Sequence, residues 1–193
     1  CITSVDPDHL DIYDTKEAFL EAFKKFSKQV GNKLIVAFGI PISGITYGID
    51  VEADYVARNL ILTNKGYRFD LISPNGIFKG INFNQLGRHN LLNAIGAIAL
   101  ANQSGIDIKK IIPTLDNFPG IYRRMNVYSW RNSIIIDDYA HHPKEIESVL
   151  NTIRVFYPNK KNCVIFQPHL FSRTKDFMKE FCSVLNNFDE IVL

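Results

Sequence analysis

The chain has 193 residues, 46% of them apolar and 22% charged, with 22 basic against 20 acidic side chains and a formal net charge of +2. This is an ordinary globular composition. It argues against a nucleic-acid partner, because no stretch concentrates Lys and Arg, and against a membrane span, because no apolar run approaches the roughly 20 residues a bilayer requires. No signal peptide is visible, and three cysteines without metal-ligand spacing predict a reduced, cytoplasmic protein with Cys163 and Cys182 as small core residues.

The chain opens at Cys1 and closes inside an apolar pattern at Leu193, so it is expected to be a piece of a longer protein. An acidic loop comes first, in which His9 reads either as a metal ligand or as a solvated loop histidine. Asp14, with Glu17 three positions on, predicts a capped helix whose apolar face is Phe19, Ala22, Phe23, Phe26 and Val30 and which Gly31 ends. From Lys33 to Phe83 short β-rich runs follow, with a hairpin turn predicted at Ser73–Gly76. Gly39 to Thr46 has the glycine spacing of a phosphate loop. Ile45 stands where the lysine must be, and Pro41 removes an N–H, so the segment reads as a turn.

The segment GRHNLLNAIGAIALANQSG is apolar or small almost all round and predicts a buried helix, with His89, Asn90 and Asn93 sharing a face. Those asparagines either tie down neighbouring loops or meet a nucleotide. A second helix over Ile108 to Asn117 leads to Pro119 and Gly120. A domain boundary is expected there, giving domains 1–121 and 122–193, and one of Arg123 and Arg124 just beyond it is a candidate phosphate ligand.

The densest chemistry lies in IIIDDYAHHPKEIESVL. An apolar strand breaks into Asp137, Asp138, Tyr139, His141 and His142, and Pro143 then opens a helix with Ile146, Val149, Leu150 and Ile153 on one stripe. Burying such a polar cluster is costly, and ligands in α/β sheets gather beyond the carboxyl ends of strands, so a functional loop is predicted. A second unit repeats the pattern. Cys163 to Phe166 leads into His169 and Arg173, then a helix carrying Phe177, Phe181, Val184 and Leu185, and a third strand begins near Ile191. Strand, helix, strand at this spacing predicts a parallel sheet; if its first two strands are neighbours, Asp138, His141, His142, His169 and Arg173 converge. An α/β fold follows for the whole chain. A two-metal phosphoesterase using Asp137, Asp138, His141 and His142, or a non-catalytic nucleotide-binding module, are alternative readings of these residues.

Taken in order, DPDHLDIY, G-x-HN-x-x-N at Gly87–Asn93, G-x-x-RR at Gly120–Arg124, DDYAHHPKEI and FQPHLFSRT resemble the Mur ligase family, the ATP-dependent amide-forming enzymes of peptidoglycan synthesis. The resemblance runs over essentially the whole chain but less than half of such an enzyme. It implies the end of a central ATP-binding domain followed by the first half of a Rossmann-like C-terminal domain. It further implies ATP and Mg2+, with UDP-N-acetylmuramate and L-alanine as substrates joined through an acyl phosphate. On the resemblance, His9 would hold magnesium, and His89, Asn90 and Asn93 would belong to the ATP site. One of Arg123 and Arg124 would reach the γ-phosphate, and Asp138 the ribose. Tyr139, His142, His169 and Arg173 would line the substrate cleft, with His142 and Arg124 as the catalytic pair. Leu170 departs from relatives with arginine after the FQPH histidine. A sibling branch that attaches a tripeptide carries phenylalanine at the Tyr139 position and a Glu-Pro-Arg-Ser segment in place of FQPHLFSRT. With no phosphate loop, the chain alone is expected to be inactive.

Overall fold

A computed structural model describes every residue except Asp8, His9 and Asp14, and leaves the side chains of Leu10 and Asp11 undescribed. The chain divides into two compact units, Cys1–Phe118 and Pro119–Leu193.

In the first unit a short helix, α1 (Leu10–Tyr13), precedes α2 (Lys16–Gln29). The expected cap, Asp14, lies outside the described residues; Thr15 caps α2, its hydroxyl accepting from Ala18 N at 3.1 Å. No residue of α2 is buried; its aromatic face instead stacks edge-on, Tyr13 on Phe19 and Phe19 on Phe23, each at 5.1 Å.

A five-stranded sheet follows in the order β1 (Ile35–Ala37), β2 (Ile45–Ile49), β3 (Tyr55–Thr63), β4 (Gly66–Ser73), β5 (Gly76–Phe83). The first three strands are parallel, and Ile2 extends that edge by bridging Val36. The last two are antiparallel, with irregular register between Arg58 and Ile61 and between Phe69 and Leu71. The predicted turn closes as Ser73↔Gly76, where the Ser73 hydroxyl donates to Gly76 O at 3.0 Å and accepts from Asn75 N. Between β2 and β3, Asp54 accepts from both the Thr46 N–H (2.7 Å) and the Thr46 hydroxyl (2.8 Å), which holds its carboxyl below the ordinary range.

Helix α3 (Arg88–Gln103) packs on β1, β2 and β3 through Leu91, Ile95, Gly96, Ile98 and Ala99. Gly96 is the point of closest approach: a Cβ there would lie 2.8 Å from the Tyr47 ring, so only glycine lets helix and sheet meet. The Tyr55 hydroxyl ties the helix end down, donating to Asn102 Oδ1 at 2.6 Å and accepting from Gln103 Nε2 at 2.8 Å. The sequence suggested burial all round, but the structure buries one face: Leu100 is 44% exposed and Asn93 faces solvent. Small residues permit close packing wherever they fall, and here only one side has a sheet to meet. Helix α4 (Ile108–Asp116), capped by Asp107 through Lys109 N, closes the unit.

In the second unit β6 (Asn126–Trp130) and β7 (Ser133–Asp137) form an antiparallel hairpin. Arg131 turns it in a left-handed conformation (φ 52°). Then come α5 (Pro143–Phe156), β8 (Cys163–Ile165), α6 (Phe171–Asp176), α7 (Met178–Leu185) and β9 (Glu190–Val192). The parallel pair is β8–β9; among the described residues β7 pairs with β6 and not with β8, so the histidine segments are not joined through adjacent strands. The helix predicted as one breaks at Phe177. The core gathers Ile146, Leu150, Phe166, Phe181, Val184, Leu185 and Phe188. Cys163 and Cys182 correct the sequence reading: both are free and exposed, because β8 turns Val164 inward and Cys163 outward, and α7 spends Phe181, Val184 and Leu185 on the core.

Candidate active site

In the first unit, the N-terminus of α3 carries the predicted ATP-site residues. Gly87 at the N-cap has φ 95°, and a Cβ there would lie 2.6 Å from the His89 ring. The glycine therefore lets the imidazole fold back over the helix start, where unpaired N–H groups and the macrodipole favour anions. Asn90 Nδ2 donates to Leu86 O at 2.7 Å, a structural bond, whereas Asn93 is exposed. His9 lies outside the described residues. A recess of about 350 Å³ at the bulges of β3–β5, lined among others by Asn59, Arg68, Asp70 and Lys79, contains none of the motif residues.

In the second unit the Asp137–His142 loop is built almost wholly from side chain to backbone bonds. Both carboxylate oxygens of Asp138 are engaged, Oδ1 by Ala140 N at 2.8 Å and Oδ2 by Met125 N at 2.9 Å. The second bond holds the Arg123–Met125 segment, where Arg123 (φ 55°) and Met125 (φ 53°) both sit in the left-handed region that disfavours non-glycine residues. Tyr139 N donates to Arg123 O at 2.8 Å, and the Asn126 amide oxygen accepts from Arg123 N. Strain on either side of Arg124 is thus borne by bonds from the histidine loop and the first residue of β6.

The two arginines differ in what holds them. Arg123 donates through Nε to Asp137 Oδ1 at 3.4 Å and lies over the Tyr139 ring at 5.0 Å. Arg124 has a looser ion pair, its Nη1 3.8 Å from Glu145 Oε1.

The two histidines differ as well. His142 is the N-cap of α5: its Nδ1 accepts from Lys144 N at 3.3 Å, so the ring proton sits on Nε2, and its ring packs edge-on against Phe177 at 4.7 Å. His141 Nδ1 lies 2.7 Å from Tyr139 O, an acceptor only, so Nδ1 carries a proton and Nε2 is the nitrogen turned away from that bond. The His141 ring also stands edge-on to Tyr139 at 5.0 Å. The structure gives His142, the expected catalytic and substrate-lining residue, the further task of capping α5. Sequence reasoning passed over Glu145, although H-P-K-E at N-cap to N3 spacing is a capping-box signal. His169 lies in the exposed loop before α6, whereas Arg173 is buried at 6% exposure within it. Asp137, Asp138, His141 and His142 do not assemble a metal site, and among the described residues no group of three or more His, Cys, Asp and Glu does. The loop's acids are committed to N–H groups and an arginine, which speaks against the two-metal phosphoesterase.

The G-x-HN start of α3 in a mixed α/β unit, followed by a unit whose arginine pair is held to the DDYAHH loop, keeps the order of motifs on which the family resemblance rests. The chain belongs to the Mur ligase family: residues 1–101 match the Mur ligase middle domain and residues 123–193 the Mur ligase glutamate ligase domain. Across its whole length it is 44% identical to the UDP-N-acetylmuramate–L-alanine ligases of Christiangramia forsetii and Flavobacterium psychrophilum, covering 43% and 44% of them. It thus spans less than half the length of these curated relatives. Among solved structures it is similar to the UDP-N-acetylmuramate-alanine ligase MurC from Thermotoga maritima (TM-score 0.77, 27% identity, 98% of this chain and 44% of that one). It shares the fold of a pseudomurein peptide ligase type C from Methanothermus fervidus (TM-score 0.79, 21% identity, 98% and 47% covered).

Proposed function

We propose that the protein carrying this chain joins L-alanine to UDP-N-acetylmuramate, using ATP and Mg2+, in the cytoplasm. Residues 1–121 then end its central ATP-binding domain, and residues 122–193 begin its C-terminal domain. The observation that carries the reading is the strained arginine segment pinned by Asp138 to the DDYAHH loop, in a chain 44% identical throughout to L-alanine-adding ligases.

The geometry supports a set of roles. The start of α3, with His89, Asn90 and Asn93, suits a nucleotide, because a helix N-terminus meets phosphate without a counter-charge. Arg123 is committed to Asp137 and Tyr139, so Arg124 is the cation available for the γ-phosphate, where charge develops during phosphoryl transfer to the muramoyl carboxylate. Asp138 has lone pairs left over from its two N–H bonds and reaches the ribose. Tyr139, His141 and His169 line the cleft where the amine of L-alanine attacks the acyl phosphate. His142 caps α5 and packs on Phe177, and Arg173 is buried within α6, and both are expected to border the same cleft. Mg2+, with His9 as a ligand, would neutralise phosphate charge.

The test is coupled phosphate release by the full-length protein with ATP, Mg2+, UDP-N-acetylmuramate and L-alanine. Release should require alanine, and R124A should lower kcat/KM by about 100-fold or more, as for loss of one transition-state charge contact. The isolated chain, which carries no phosphate loop, should turn over no ATP. Release with a tripeptide and not with alanine would move the protein to the recycling branch; release with neither would sink the ligase reading.

A further inference from the structure

We infer that Glu145 is a positioning residue that couples Arg124 to the histidine loop; the inference rests on the proposed nucleotide contact of Arg124. Its two carboxylate oxygens have separate tasks. Oε2 accepts from His141 N at 2.9 Å and His142 N at 3.2 Å and lies 3.5 Å from His141 Nδ1. Oε1 faces Arg124 Nη1 at 3.8 Å.

Capping a helix requires only the first task, and glutamine performs it as well as glutamate. The hydrogen bonds of the cap do not need the charge, which acts instead on the helix dipole and on the cations beside it. The Arg124–Glu145 pair is 41% and 36% exposed, so it adds little to stability. What it does is restrict a long side chain whose backbone is already immobilised between two left-handed residues, the kind of preorganisation that binding and catalysis reward. Because Oε2 holds the N–H groups of both histidines, the same carboxylate fixes the spacing between the phosphate-facing cation and the amine-facing loop. Arg123 needs no such partner, since Asp137 and the Tyr139 ring hold it.

The experiment is a double-mutant cycle on the full-length protein, reading affinity for a fluorescent ATP analogue and the thermal midpoint in wild type, E145Q, R124A and E145Q/R124A. E145Q is expected to weaken the analogue by about tenfold, and by less than about twofold once Arg124 is gone, which is the non-additivity of residues acting as one unit. The midpoint of E145Q should stay near wild type, because the amide oxygen still caps α5, whereas E145A should lower both readings. An E145Q effect of equal size with and without Arg124, or none at all beside a clear R124A effect, would overturn this inference while leaving the role of Arg124 intact. R124A without effect would sink both. Alanine-dependent phosphate release is scored separately, so failure of the ligase reading shows in a different measurement.

Discussion

In Cys1–Phe118 one continuous sheet with α3 laid across it buries Tyr47, Tyr55 and Leu71 completely. In Pro119–Leu193 four strands fall into two separate pairs, and Ile165 and Leu193 stand 82% and 80% exposed. The first unit is therefore held by apolar packing, which is non-directional and spread over many contacts. The second has a small core of its own but places its polar Asp137–His142 loop by a few directional bonds from Asp138, Glu145 and Asn126. Each unit is therefore vulnerable in its own way. Packing fails in proportion to the volume removed, whereas a polar network fails when one acceptor is lost.

The sharpest way to break that contrast is F69A, which removes a ring 1% exposed beneath β4. It should cost the first unit about 3–5 kcal/mol. Denaturant unfolding can be followed by circular dichroism and, separately, by fluorescence of Trp130, the single tryptophan, which lies in the second unit. If the units are independently held, the fluorescence transition stays while the dichroism transition moves; a joint shift would show that they unfold as one.

D138N probes the other regime without changing volume. An amide keeps one acceptor oxygen for the two N–H groups of Met125 and Ala140, so the second unit should lose about 1–3 kcal/mol, the cost of an unmet buried bond. Amide exchange at Met125 should accelerate relative to the core residues Leu150 and Phe181. Unchanged exchange would mean that the strained arginine segment is held by something else.

The smallest effect concerns pH. The folded pKa of Asp54 lies below its unfolded value because Thr46 donates two bonds to the ionised form. Its contribution is therefore present above the unfolded pKa, near 4, and lost as pH falls through the lower folded value. D54N should flatten the decline in the first unit's urea midpoint below about pH 4 and leave the Trp130 transition alone. A wild-type midpoint indifferent to acid in that range would refute this bond as a source of stability.

Local pattern along the chain was enough for its secondary structure. Period-2 and period-3.6 patterns located the strands from Ile35 to Phe83 and helices α2 to α5. Ser73–Gly76 announced its hairpin, and the run of polar residues after Ile136 marked the end of β7. Each of these depends on neighbours within a few positions. The partners of each matched pair, by contrast, come from the tertiary structure alone. Motif resemblance favoured His142 over His141, but only the fold shows that Lys144 N takes His142 as a cap and Tyr139 O orients His141. Arg123 and Arg124 are equivalent until Asp137, fourteen residues on, claims the first. Cys163 and Cys182 fit an apolar pattern until packing chooses their neighbours for the core, and α3 looks apolar all round until a sheet covers one face only. Partners brought together across the fold make these choices, and a hydrogen bond or an ion pair distinguishes adjacent residues of one type as no periodicity can.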